Sequence, residues 1–132
     1  MKFAKRVFLI AGIYGLIVLL PLYFLEARTG RDYPPPITHP EYYYGFIGVA
    51  LVWQILLLVI STDPVRYRPI MIMPMLAKTS FVIAVTILFL QGRVAATTLG
   101  ASMIDLLLVV LFLIAYVRLR TPAASWKQLV ER

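Results

Sequence analysis

Four long stretches of this 132-residue chain are almost free of charge, and they limit what it can fold into. Each meets the length of about 20 residues that a helix needs to cross hydrocarbon about 30 Å thick. With 61% hydrophobic and 14% charged residues, the composition is typical of a membrane protein. The stretches are 7–25, 42–60, 69–91 and 94–117. We therefore predict an all-α membrane protein, a bundle of four transmembrane helices.

The first stretch follows a basic start and could instead be a secretory signal peptide. It is longer than a typical signal core and lacks a small-residue cleavage pattern before Arg28, so we expect an uncleaved first span. Residues 1–120 then form the transmembrane domain, and 121–132 form a cytoplasmic tail. Within the tail, Ser125, Trp126 and Gln128 have the spacing of a short interfacial helix, and disorder is the alternative.

The basic residues between the spans predict the orientation. If the N-terminus is cytoplasmic, nine Lys and Arg residues lie in inner segments and three in outer segments. Cytoplasmic segments carry this excess in membrane proteins, so we expect both termini in the cytoplasm of a bacterial-type plasma membrane. The net charge of +7 then reflects orientation rather than nucleic-acid binding. The outer residues are Arg28, Arg31 and Arg93.

The residue types present exclude several chemistries. The chain has no cysteine and a single histidine, His39, so no thiolate site and no multi-histidine metal or haem site is expected within it. No nucleophile with a base and no carboxylate pair is visible, so no catalytic residue and no cofactor is predicted. An enzyme is the least favoured class.

Lys78 and Asp105 are ionisable residues inside the third and fourth stretches. A charge near the bilayer centre costs roughly 2.5 to 3.5 kcal/mol on insertion scales, so such residues usually pair or mark a functional path. The two helices are consecutive and therefore expected to be antiparallel neighbours, which favours a structural ion pair that fixes the rotation of one helix against the other. The alternatives are a ligand site built around the pair, or unconnected charges. Unconnected charges are expected if the third helix starts at Pro74, because Lys78 could then reach the headgroups.

Gln54 in the second stretch also needs hydrogen-bond partners, because lipid tails offer none. It is expected to face another helix and could join Lys78 and Asp105, so these three residues are the predicted ligand-binding candidates. Gly12 and Gly15 predict close helix packing in the first span. The small residues from Ala95 to Ser102 predict that the outer half of the fourth helix is its packed half.

The connection 26–41 is the longest between the stretches and contains three successive prolines at 34–36. It is expected to lie as a stiff connector over the outer helix ends, or else to serve as a docking surface. The tyrosines 42–44 that follow are typical of a membrane interface.

Several short motifs resemble the small four-helix bacterial inner-membrane proteins of the DoxX-like type. They are the Tyr-Gly-Phe-Ile-Gly run at 44–48, the Asp-Pro turn at 63–64 with its two arginines, and the Gly-Arg turn at 92–93. The resemblance covers most of the chain and implies a four-helix architecture more than an activity.

Two functions follow as expectations, the first as the leading prediction and the second as its alternative. The first is an accessory or scaffold protein that acts through helix contacts in the lipid bilayer, as a homo-oligomer or as one subunit of a larger membrane complex. The second is a binder or carrier of a small lipophilic ligand or lipid, with a polar site around Lys78 and Asp105.

Overall fold

The computed structural model describes residues 1–119, and every regular element within them is helical. The predicted interfacial helix around Trp126 lies outside the described residues. The α-helices are α1 (Lys2–Leu19), α2 (Glu26–Asp32), α3 (Pro40–Thr62), α4 (Ile72–Leu90) and α5 (Ala96–Arg118). Two short 3₁₀ segments, Leu20–Phe24 and Arg68–Met71, extend α1 and precede α4.

In the described part of the chain, four helical segments are long and apolar enough to cross a membrane: Lys2–Phe24, Pro40–Thr62, Arg68–Leu90 and Ala96–Arg118. Each overlaps one of the stretches predicted from the sequence and has 23 residues. The prediction of four candidate spans is therefore confirmed, and together they suggest a multi-pass membrane protein.

The two ends of the bundle are distinguished by the chain ends and connections that lie there. We call the end with Met1, the 63–67 turn and Leu119 the proximal end, and the end with the 25–39 and 91–95 connections the distal end. At the proximal turn, Asp63 Oδ1 accepts a hydrogen bond of 3.2 Å from the Arg66 backbone N–H. At the distal turn, Gly92 has φ +71°, which favours glycine and ends α4.

Two prolines lie near the ends of long helical segments. Pro21 lies in the 3₁₀ segment that ends the first span. Pro74 is the third residue of α4, a position whose N–H has no partner within an α-helix. It is buried, and the helical path already begins at Arg68. The third span therefore does not start at Pro74.

One cluster of buried hydrophobic residues lies at the proximal end. Phe8 of α1 and Phe112 of α5 are fully buried and stack with ring centroids 4.5 Å apart and an interplanar angle of 10°. Met71 packs into the same cluster from the segment before α4. The remaining buried members are Ala4, Ala11, Leu57, Ile60 and Ala115. The proximal halves of α1, α3 and α5 are thus held together by one cluster.

The long helices form two pairs. The most extensive contacts are between α1 and α3 and between α4 and α5, whereas α3 and α4 barely touch each other. Glycines explain the first pair, since a Cβ on Gly12 would lie 2.7 Å from Leu58 Cδ2. Contact between the pairs runs mainly through α1 and α5. Each pair is therefore a hairpin-like unit, joined to the other chiefly at the proximal end.

The packed half of α5 is not the predicted one. Phe112 and Ala115, in its proximal half, are buried, whereas Gly100 and Ala101 in its distal half are exposed. Ser102 is the one buried residue of the distal half. The small residues therefore leave space at the distal end instead of closing it.

The distal connection is partly helical and folds back on itself. Gly30 of α2 is buried, and a Cβ there would lie 3.1 Å from Pro36 Cα. Tyr44 Oη donates a hydrogen bond of 2.7 Å to Glu26, and Tyr43 Oη donates one of the same length to the Leu22 carbonyl. The connector prediction is supported, because α2 is tied to the start of α3 at this end.

Candidate functional site

Lys78 and Asp105 form a direct ion pair between α4 and α5. Lys78 Nζ donates a hydrogen bond of 2.7 Å to Asp105 Oδ1, and the side chains are 16% and 23% exposed. The sterically reasonable pair of the sequence analysis is therefore present. The alternative of two unconnected charges is wrong for these side chains.

The position of the pair follows from the length of the third span. Because the helical path begins at Arg68, Lys78 lies about 15 Å along it, close to the middle of its 23 residues. Asp105 lies about 20 Å from the proximal end of α5, and the flexible lysine stem spans the difference. Both charges thus lie near the centre of their helices.

The pair opens onto a cleft of about 600 Å³ between the two helix pairs. All four long helices line it, and its volume falls within the range of small-molecule sites. Phe46 of α3 and Phe81 of α4 line it and remain 56% and 41% exposed, so the cleft is open rather than sealed. It lies between α3 and α4, on the distal side of the proximal cluster.

Gln54 lines the same cleft from α3 and is only 8% exposed. Its Nε2 donates to the Ala50 carbonyl at 3.1 Å, and its Oε1 has no hydrogen-bond partner among the described residues. The carboxamide occupies the space left by the missing side chain of Gly15, where a Cβ would lie 2.7 Å from Gln54 Cγ. Gln54 therefore faces another helix, as predicted.

Gln54, Lys78 and Asp105 form fewer hydrogen bonds with one another than the sequence suggested. In the described part of the chain, Gln54 makes no hydrogen bond to Lys78 or Asp105. Ser102 Oγ and Thr86 Oγ1 each donate to a carbonyl of their own helix, at 2.7 and 2.8 Å. The three predicted site residues share one cleft, but only Lys78 and Asp105 bond to each other.

The cleft walls include residues that sequence reasoning did not assign to a site. Trp53 precedes Gln54 and lines the cleft, as do Tyr14 of α1 and Phe46. Gly45 and Ala101 also line it, and a Cβ on Gly45 would meet nothing within 4 Å. The sequence signal for Gly45 and Ala101 is only that both residues are small. A small residue allows either close helix packing or open space beside the helix, and the prediction from the sequence was packing for both.

No group of three or more His, Asp or Glu side chains placed to hold a metal ion occurs within residues 1–119. The site therefore consists of one ion pair, one carboxamide and apolar or aromatic walls. Such a site can hold a lipophilic molecule and orient one polar group of it.

Comparisons with known proteins add no relative. No protein-family model matches the sequence, and neither the curated proteins nor the solved structures give a match. The DoxX-like resemblance therefore stays a prediction, and the site has to be interpreted from its own chemistry.

Proposed function

We propose that this protein binds a small lipophilic molecule within the membrane, in the cleft between its two helix pairs, as a binder or carrier. The observation that carries the proposal is the Lys78–Asp105 pair on the wall of an otherwise apolar cleft of about 600 Å³. A pair that only fixed two helices would need no open space beside it.

The position of the cleft supports entry from the bilayer. Two of its walls come from α3 and α4, which barely touch, and Phe46 and Phe81 on those walls are exposed. A molecule dissolved in the hydrocarbon could reach the ion pair without passing through water. The pair would then orient its polar group, while the apolar walls hold the rest.

The proposed setting is a bacterial-type plasma membrane with both ends of the chain in the cytoplasm. The support is the nine-to-three distribution of basic residues between the two sides. The proximal end, with Arg66, Arg68 and Arg118, would face the cytoplasm.

The accessory-subunit function stays a prediction. The exposed apolar residues on all four long helices suit a partner protein, but lipid requires the same surface. The cleft with its ion pair distinguishes the ligand-binding proposal, because contact with lipid alone does not require it.

Native mass spectrometry of the protein, extracted in mild detergent, tests the proposal. We expect the wild type to retain a small lipophilic molecule. Gly45→Phe should lose it, because the new ring projects into open space on the cleft wall. The same spectra report oligomeric state and bound subunits, and therefore also test the accessory prediction.

Gly100→Phe is the matched control. Gly100 is also a helical glycine with nothing near its missing Cβ, but it does not line the cleft. It should retain the molecule. Equal retention by both variants and by wild type would overturn the proposed site, as would the absence of any retained molecule from a folded wild-type protein.

A further inference from the structure

The ion pair leaves hydrogen-bonding capacity unused on the cleft side. An ammonium group has three N–H donors, and Lys78 uses one of them on Asp105 Oδ1. Asp105 Oδ2 makes no hydrogen bond within residues 1–119, and both side chains are partly exposed where they border the cleft. The pair therefore offers a ligand both donors and an acceptor at one point.

The pair also fixes the charge of the site. Within residues 1–119, Lys78 and Asp105 are the only charged residues that line the cleft, and their charges cancel. The remaining walls, from residues such as Val49, Trp53 and Phe81, supply no counter-charge.

A ligand head group that carries either a negative or a positive charge is therefore disfavoured. An anion would bond to Lys78 but lie next to the Asp105 carboxylate, and a cation would meet the reverse problem. Either one brings an uncompensated charge into an apolar setting, which is costly. A neutral group that donates and accepts can bond to both residues at once.

We propose that the cleft selects an electroneutral amphiphile whose head both donates and accepts a hydrogen bond, with a hydroxyl as the simplest case. This inference rests on the proposed function and specifies the ligand class for the same site. A fatty alcohol or another lipid with a free hydroxyl has this chemistry. A fatty-acid anion or an alkylammonium ion does not.

Trp53 provides a direct reporter, because it lines the cleft. The chain has two tryptophans, so Trp126→Phe leaves Trp53 as the only tryptophan, whose emission is followed selectively. The full-length protein in lipid vesicles would be titrated with three bromoalkyl probes of equal chain length that end in a hydroxyl, a carboxylate or a trimethylammonium group. Saturable quenching of Trp53 measures occupancy, because bromine quenches tryptophan at short range.

We expect the bromoalkyl alcohol to quench at a concentration in the membrane about tenfold lower than either charged probe, a difference of about 1.4 kcal/mol. In the same background, Gly45→Phe should abolish the saturable part and Gly100→Phe should preserve it. Tighter binding of the carboxylate or the ammonium probe would overturn the neutral-head inference while leaving the ligand-binding function standing. No saturable quenching by any probe would count against the function itself.

Substitutions of the pair should change the charge preference predictably. Asp105→Asn leaves the Lys78 charge uncompensated, so the carboxylate probe should become the best ligand. Lys78→Met leaves the Asp105 charge, so the ammonium probe should become the best. An unchanged preference for the alcohol in both variants would contradict the assignment.

A double variant covers the case in which a single unpaired charge prevents folding. Lys78→Met combined with Asp105→Leu removes both charges and keeps apolar side chains of similar size. We expect the alcohol probe to lose its advantage over a plain bromoalkane. If the advantage persists in this folded variant, the ion pair is not the head-group site.

Discussion

The contact between Gly15 and Gln54 determines how closely α1 and α3 approach at the level of the cleft. The carboxamide occupies the space that any larger residue at position 15 would need. The absence of one side chain thus allows a buried polar side chain on the neighbouring helix. This contact also leaves Gln54 Oε1 buried without a partner among the described residues, an arrangement that lowers stability.

Gly15→Ala is expected to destabilise the protein by about 2 kcal/mol, because the added methyl group overlaps the Gln54 side chain and must displace it. The measurement is the unfolding free energy in one detergent, by titration with a denaturing detergent. Gly100→Ala is the control, and it should be neutral or slightly stabilising, since its Cβ meets open space and alanine favours helix. Equal stability of the two variants would contradict a close contact between Gly15 and Gln54.

At the scale of helices, the four spans could be predicted because their length and apolarity belong to the sequence itself. The Lys78–Asp105 pair was also predictable, since consecutive antiparallel helices bring residues of similar depth together. The position of the buried cluster at the proximal end was not. It depends on Phe8 and Phe112, which are distant in sequence and meet only after folding.

The small residues of α5 show the same limit. A run with Gly100 and Ala101 is compatible with close packing and with an open wall, and no local property of the run distinguishes them. Gln54 was correctly expected to face another helix, but its partner is Gly15 rather than the charged pair. Which small residue lies opposite depends on the rotation of each helix, and the sequence pattern does not determine it.

The core at the proximal end predicts where the helices are most sensitive to substitution. Phe112→Ala removes a fully buried ring from the stack with Phe8, so we expect a loss of about 3 kcal/mol of stability. Thermal unfolding in detergent measures the loss. Leu113→Ala is the neighbouring control, because Leu113 is 51% exposed and its truncation should have little effect. A similar loss in both variants would contradict the position of the core.

For the whole molecule, the orientation in the membrane can be tested on a background without cysteine, because the chain contains none. Val65→Cys places a thiol at the exposed proximal turn, and Ala95→Cys places one at the exposed distal turn. In intact spheroplasts, a membrane-impermeant maleimide should label only the distal cysteine. After the cells are opened, it should label both. Labelling of Val65→Cys alone in intact spheroplasts would reverse the proposed orientation.

The two helix pairs are joined chiefly through the proximal cluster, so packing and cleft lining are concentrated at different ends of α1, α3 and α5. The proximal halves of α1, α3 and α5 carry the buried cluster, and their distal halves supply most of the residues with which these three helices line the cleft. Under the proposed function, substitutions in the distal half of α3 or α5 would therefore change which molecule fits at little cost to folding. A new specificity would then require no prior gain in stability.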